Sequence, residues 1–208
     1  MSDSTATFGD PSSQVSLVLA SSSPRRSELI AHLGLPVEVR PSDASEEVPA
    51  DWMPDRIVEA LSLRKAQAVA ERLEAGGGRR IVVGSDTIVV LDGEVMGKPR
   101  DAADAVRMLS GLAGRVHEVY TGVTCIEAGA DAVRTAHRVT RVRIRALSPV
   151  QIERYVATGE PMDKAGAYGI QELGALLVEG IEGDYFNVVG LPLSLLAELL
   201  SKFGIERP

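Results

Sequence analysis

One cysteine in 208 residues, Cys125, leaves no partner for an internal disulfide and no cysteine cluster for a metal. It lies in an apolar, strand-like run and reads as core. The histidines His32, His117 and His137 are scattered, so no zinc-binding spacing is present. Positive charge is outnumbered, with 22 Lys and Arg against 29 Asp and Glu and a net charge of −7. An acidic chain is a poor general nucleic-acid binder, so any anion site has to be local. No apolar run approaches the length needed to span a bilayer. Residues 1–14, "MSDSTATFGDPSSQ", lack the basic start and apolar stretch of a signal peptide. These absences predict a cytoplasmic protein with neither a membrane nor a nucleic-acid partner. There is no internal repeat, no Gly-x-Ser-x-Gly and no evident Ser/His/Asp arrangement. The stretch "GEVMGKPR" falls short of a P-loop, because the gap from Gly93 to Gly97 is one residue too small and Pro99 replaces the metal-binding Ser/Thr.

What is present is a globular composition, 45% hydrophobic and 25% charged, long enough for a proper core. Pattern and breakers predict strands over 16–20, 36–40, 81–91, 94–96, 116–127, 133–147 and 175–181. They predict helices over 24–33, 54–74, 102–112, 148–158 and 192–203. Ser23 reads as an N-cap before Pro24, Asp92-Gly93 as a hairpin turn, and Ser148 with Gln151 as a capping box. Gly159 to Leu173 reads as a loop with short helical turns, and "EAGGGRR" as a flexible loop. The fold class is α/β (mixed α+β), with a mixed sheet flanked by helices. Residues 1–15 read as a disordered tail and 16–208 as a single domain.

Five places carry chemistry. In "LASSSPRRSELI" a strand runs into a serine-rich turn and a helix N-terminus, a ready anion site. Arg25 and Arg26 oppose the helix dipole there by ~0.3–1 kcal/mol each, and become sensible if an anion docks over the turn. In "IVVGSDTIVVL" alternation places Asp86 mid-strand between apolar residues, where an unpaired carboxylate would cost several kcal/mol. It therefore needs a cation, a metal or hydrogen bonds, and Gly84 and Ser85 beside it leave room for a ligand. Lys65 falls within the apolar stripe of its helix, with Ile57, Leu61, Ala68 and Val69, and is either a snorkelling lysine or a partner for Asp86 or a phosphate. Lys98 is a cation at a strand exit. In "DKAGAYGIQELG" the glycines permit close backbone approach, and the amide of Gln171 suits the edge of a base. Each has a plain alternative in a solvated loop or a structural ion pair.

Together with "GSDTIVVLDGEVMGKPRDAADAVRMLSGLAGRVHEVYTGV" and "DKAGAYGIQELGALLVEGIEGDYFNVVGLPLSLL", these stretches resemble the Maf proteins, nucleoside triphosphate pyrophosphatases once linked to septum formation. The likeness runs from about Leu17 to Phe203. It implies an elongated mixed α/β fold related to the inosine triphosphatase-like architecture, with a cleft between two lobes. It implies hydrolysis of a nucleoside triphosphate to monophosphate and pyrophosphate with Mg²⁺ or Mn²⁺. By the same resemblance Ser21 and Arg26 serve the phosphates, Glu46 and Asp86 hold the metal, Asp86 acts as base, and Lys65 and Lys98 stabilise charge. Ser45 stands where many members carry an acidic residue, and Glu47 is a candidate to compensate. Arg25, Thr87 and Gln171 match the branch acting on dTTP and UTP. The rivals are a purine enzyme for dITP- or XTP-type nucleotides, a 7-methyl-GTP pyrophosphatase, and a non-catalytic nucleotide-binding regulator of septum formation. A homodimer is compatible with the sequence.

Overall fold

The structure, a computed structural model, describes residues 15–73 and 78–207. Residues 1–14 of the tail and 74–77 of the "EAGGGRR" loop lie outside the described residues; Val15, counted with the tail, opens the first strand. The elements run β1 (Val15–Leu19), α1 (Pro24–Ala31), β2 (Val37–Val39), α2 (Pro54–Ala70), β3 (Arg79–Leu91), β4 (Glu94–Met96), α3 (Ala102–Leu112), β5 (Val116–Glu127) and β6 (Val133–Ile144). They continue through α4 (Pro149–Val156), 3₁₀ turns at Glu160–Asp163, Ala165–Ala167 and Glu172–Leu176, β7 (Val178–Glu182), α5 (Tyr185–Val189) and α6 (Leu193–Ser201). The strands form one mixed sheet in the order β2-β1-β3-β5-β6-β7, with β4 on β3.

The long strand β3 organises this sheet. One flank pairs with β5 from Ile81 to Val90. On its other flank, β1 pairs in parallel as far as Val83 and β4 pairs antiparallel only from Val89. Among the described residues, 84–88 thus have no strand neighbour on that side. Two local features make this opening. The chain leaves β1 at Leu19 because the serine turn and Pro24 start a helix, with the Ser23 Oγ accepting from the Arg26 N–H. The chain returns at β4 because Asp92 and Gly93, at φ 54° and 84°, form a tight turn with both residues at positive φ.

Apolar burial surrounds the opening. On one face of the sheet α2 covers Val18, Val82 and Ile126 with Ala66 and Val69, and further along covers Ile88 and Val90 with Ile57, Val58 and Leu61. On the other face one cluster joins Leu17, Leu19, Ile81 and Val83 to Ile30, Leu196 and Leu200, and a second joins Val89 and Val119 to Met108, Leu109 and Ile152. Cys125 is fully buried in the first, and burial pushes its thiol up to about 12. Each buried aliphatic contributes about 1.5–3 kcal/mol, so these clusters hold the fold and leave the polar middle of β3 free for chemistry.

Glycine sets how closely α2 approaches. A Cβ on Gly84 would sit 2.2 Å from the Ser62 carbonyl oxygen, and one on Gly122 would sit 2.2 Å from that of Val58. The space that Gly84 leaves is therefore filled by α2, not by a ligand. The buried stripe of α2 runs Ile57, Val58, Leu61, Ser62, Ala66 and Val69, with Ala66 where the sequence pattern suggested Ala68.

Most expected elements match within a few residues, and the Ser148–Gln151 capping box is present. Three differ. The strand expected from Ala175 starts at Val178, because residues 172–176 curl into a 3₁₀ turn. Helix α2 ends at Ala70, four residues before its expected end at Glu74. Helix α5 was not expected. It is only five residues long, four of them aromatic or β-branched, and starts where the Asp184 carboxylate accepts from the Phe186 N–H. The close approach gives a direct test. Gly122→Ala should lower unfolding stability by about 2 kcal/mol or more, read as a urea midpoint. Gly180→Ala, whose Cβ would meet nothing within 4 Å, should stay within about 0.5 kcal/mol of the parent.

Candidate active site

The opening in the sheet is the floor of a cleft of about 910 Å³. Ser21, Arg25, Arg26, Glu46, Lys65, Asp86, Thr87, Lys98 and Gln171 all line it. Glu47 is not among the lining residues. Its carbonyl, with that of Ser45, accepts from Arg64 instead.

Asp86 lies on the α2 face of β3. Lys65, projecting from α2, reaches it, and its Nζ stands 2.6 Å from Asp86 Oδ1 and 2.6 Å from Glu46 Oε1. The Lys65 and Asp86 side chains are 13% and 10% exposed, that of Glu46 61%. Lys65 is thus no snorkelling lysine; Arg72 is one, with its head out on Asp43. The hydrogen bond from Lys65 is the largest effect holding the Glu46 carboxyl below its usual range, and Lys98 and Arg26 add to it. Among the described residues Asp86 Oδ2 has no hydrogen-bond partner.

On the opposite face of β3, Arg26 is held by neutral acceptors. Its Nε donates to the Gly190 carbonyl at 2.8 Å, and its other nitrogens to Ser21 Oγ at 3.3 Å and Thr87 Oγ1 at 3.0 Å. Burial pulls the guanidinium below its ordinary value, Asp86 and Glu46 oppose that, and Arg25 adds to it. The Thr87 hydroxyl is already committed. Thr121 donates to the Asn187 carbonyl at 2.9 Å, so in the 2.9 Å contact between the two threonines Thr87 must be the donor. Thr87 therefore anchors Arg26 and keeps only a lone pair for a ligand.

Arg25 reaches across the cleft to Asp163 at 3.0 Å, and Asp163 also holds Lys164 at 2.8 Å. Among the described residues Lys98 is exposed and makes no ion pair. The side-chain amide of Gln171 makes no hydrogen bond among the described residues. Two contributors escaped sequence reasoning. The first is Gly190, at φ 121°, whose carbonyl also accepts from Ser85 Oγ at 3.0 Å. Its only signal is the Gly-Leu-Pro break after "NVV". The second is the Asp163–Lys164 pair, whose mixed charges look like an ordinary solvated loop. Tyr168 also lines the cleft, with its hydroxyl 2.7 Å from His117 Nε2. Burial lowers that imidazole to about 4 and keeps it neutral.

Glu46 and Asp86, which share Lys65, are two carboxylates that could hold a divalent cation. Two carboxylates completed by phosphate oxygens and water suit Mg²⁺, and the unpartnered Asp86 Oδ2 fits that use. Among the described residues no group of three or more His, Cys, Asp or Glu side chains is arranged to hold a metal by protein ligands alone.

A family model described as "Maf-like protein" matches residues 16–203. The chain belongs to the Maf family. Maf relatives with curated names include the dTTP/UTP pyrophosphatase of Moorella thermoacetica, 57% identical over 190 residues, covering 91% of this chain and 96% of that protein. Those of Symbiobacterium thermophilum (51% identical, 90% and 94% covered) and Desulforamulus reducens (48%, 91% and 97%) carry the same name. The solved Staphylococcus aureus Ham1 protein aligns at 16% identity with a TM-score of 0.45, over 62% of this chain and 71% of that one. That likeness is too weak to carry an argument.

The shared lysine of this Maf cleft makes the two acids unequal. Lys65→Met leaves Asp86 buried and unpaired, and should lower stability by about 3 kcal/mol. Asp86→Asn leaves Lys65 its bond to Glu46, and should lower it by less than about 1 kcal/mol. The double variant should recover most of the loss, a non-additivity that thermal unfolding reads directly.

Proposed function

We propose that this Maf protein hydrolyses dTTP and UTP to the monophosphate and pyrophosphate. One observation carries the reading. Three cations, Arg26, Lys65 and Lys98, converge with the acids Glu46 and Asp86 on one cleft that also holds Arg25 and Gln171. The curated names of relatives about half identical to this chain support it.

Water attacks the α-phosphorus, an O–P bond forms, and the bridging P–O bond to the β-phosphate breaks with its electron pair leaving on pyrophosphate. Asp86 orients the water and accepts its proton. Lys65, released from part of its carboxylate contact as phosphate oxygens approach, stabilises charge on the transferring group together with Arg26. Lys98 answers the charge on the leaving pyrophosphate. A divalent cation held by Glu46 and Asp86 would neutralise the triphosphate and polarise its oxygens when bound.

Uracil and thymine present two carbonyl acceptors flanking one N–H donor. Gln171 answers one acceptor and the donor together, and Arg25 donates to the other carbonyl. Such a site rejects a mismatched base because its polar groups are left unpaired. Work in the cytoplasm, where nucleoside triphosphates are made and used, is part of the same proposal. Among the described residues no helix is long and apolar enough to cross a membrane.

The test is kcat/KM, by pyrophosphate release, for UTP, dTTP, CTP, GTP, dITP and 7-methyl-GTP. UTP and dTTP should exceed GTP by at least about tenfold and differ little from each other, one methyl being worth only about 1–3 kcal/mol even in a fitted pocket. A preference for dITP or 7-methyl-GTP would contradict the base reading. Tight binding without pyrophosphate release would contradict turnover altogether.

A further inference from the structure

The loop that carries Gln171 is closed at its neck. A Cβ on Gly174 would sit 2.1 Å from the Gly169 carbonyl oxygen and 2.6 Å from the Tyr155 hydroxyl, so the two ends of the 169–174 segment touch. Glu160 spans that neck. Its Oε1 accepts from the Gly174 N–H and the Tyr155 hydroxyl, both at 2.9 Å, and its Oε2 from the Leu173 N–H at 3.2 Å. The Tyr155 hydroxyl in turn accepts from the Gly169 N–H at 3.2 Å. Gln171 lies midway between these anchors. Next to it Glu172 holds a left-handed backbone, φ 53°, a strained conformation that persists only when its surroundings enforce it. The same residue is tied to the second base reader. The Glu160 carbonyl accepts from Lys164 Nζ at 2.6 Å, Lys164 holds Asp163, and Asp163 holds Arg25.

We infer that Glu160 is a positioning residue for base selection. Its carboxylate closes the neck of the 169–174 loop so that Gln171 meets the base in register, while its backbone carbonyl, through Lys164 and Asp163, steadies Arg25. This rests on the pyrimidine reading above. The chemistry is specific to a carboxylate. Three donors converge on it, and only an acceptor-only group with two oxygens receives them all. The near-isosteric Gln offers one carbonyl and turns an NH₂ toward an N–H. Selection by hydrogen bonds depends on holding donors and acceptors to within about 0.5 Å, so a loosened neck should lose discrimination before it loses hydrolysis.

The experiment is a double-mutant cycle of Glu160→Gln and Gln171→Ala, reading kcat and KM for UTP and GTP, with a melting temperature for each variant. Glu160→Gln should lower the UTP-to-GTP ratio of kcat/KM by about tenfold, mainly through a raised KM for UTP, with GTP hydrolysis little changed. Adding it to Gln171→Ala should cause little further loss of the ratio, because both act through one amide. An unchanged ratio in Glu160→Gln, equal losses on both nucleotides, or losses that multiply in the double variant would overturn the inference. Should Glu160→Gln fail to fold, Tyr155→Phe removes only the hydroxyl that holds Gly169 and carries the same expectation. A parent enzyme without UTP preference would overturn the pyrimidine reading and this inference with it. A preference intact in both the parent and Glu160→Gln overturns this inference alone.

Discussion

Two carboxylates share one ammonium at the centre of the cleft, and the surrounding fold is arranged to make that contact. Lys65 reaches Asp86 because α2 lies flat on β3 and β5, and it lies flat because Gly84 and Gly122 have no Cβ to hold it off. Asp86 lines the cleft where, among the described residues, β1 and β4 leave the middle of β3 without a strand neighbour on one flank. Taking a carboxylate and an ammonium out of water carries a penalty of several kcal/mol per ion. The aliphatic clusters on both sides of the opening supply the stability that offsets it, so the charged trio is a feature the core tolerates. Its value under the proposed function is chemical: a cation and a base are already in register before a substrate arrives.

The other half of the cleft follows a different rule. Arg26 bonds to a serine, a threonine and a backbone carbonyl, none of which cancels its charge by direct contact. The relay from Thr87 through Thr121 to the Asn187 carbonyl fixes the acceptor that receives it. Such a guanidinium is positioned and still positive, which is what stabilising a developing phosphoryl charge requires. Arg25, by contrast, is held by a carboxylate, and suits recognition more than charge stabilisation. Two adjacent arginines in one helical turn are thus held differently, one by neutral acceptors and one by a carboxylate.

The sequence was most informative where one residue type broke a strong pattern. Asp86 in an apolar strand and Lys65 in an apolar stripe each demanded a partner, and in the structure they are partners to each other. The Asp-Gly turn, the Ser23 cap and the capping box at Ser148 are local chemistry, and were legible for that reason. Contacts that depend on tertiary packing were not. Gly84 suggested ligand space, yet only the packing of α2 shows that a helix fills it. Thr87 offered a hydroxyl whose proton is committed by residues 34 and 100 positions away in sequence, a relay that no local spacing announces. Helix α5 is short and rich in β-branched and aromatic residues, so propensity gave no sign of the carbonyl at Gly190 that anchors Arg26.

The central claim is that this cleft directs water to the α-phosphorus of a nucleoside triphosphate. Hydrolysis of UTP in ¹⁸O-enriched water, with products separated and read by mass spectrometry, tests it in one step. Attack at the α-phosphorus places the label in UMP and leaves pyrophosphate unlabelled. Label in pyrophosphate, or release of orthophosphate with UDP, would mean that Asp86 and the cations around it address a different phosphorus, and would contradict the account.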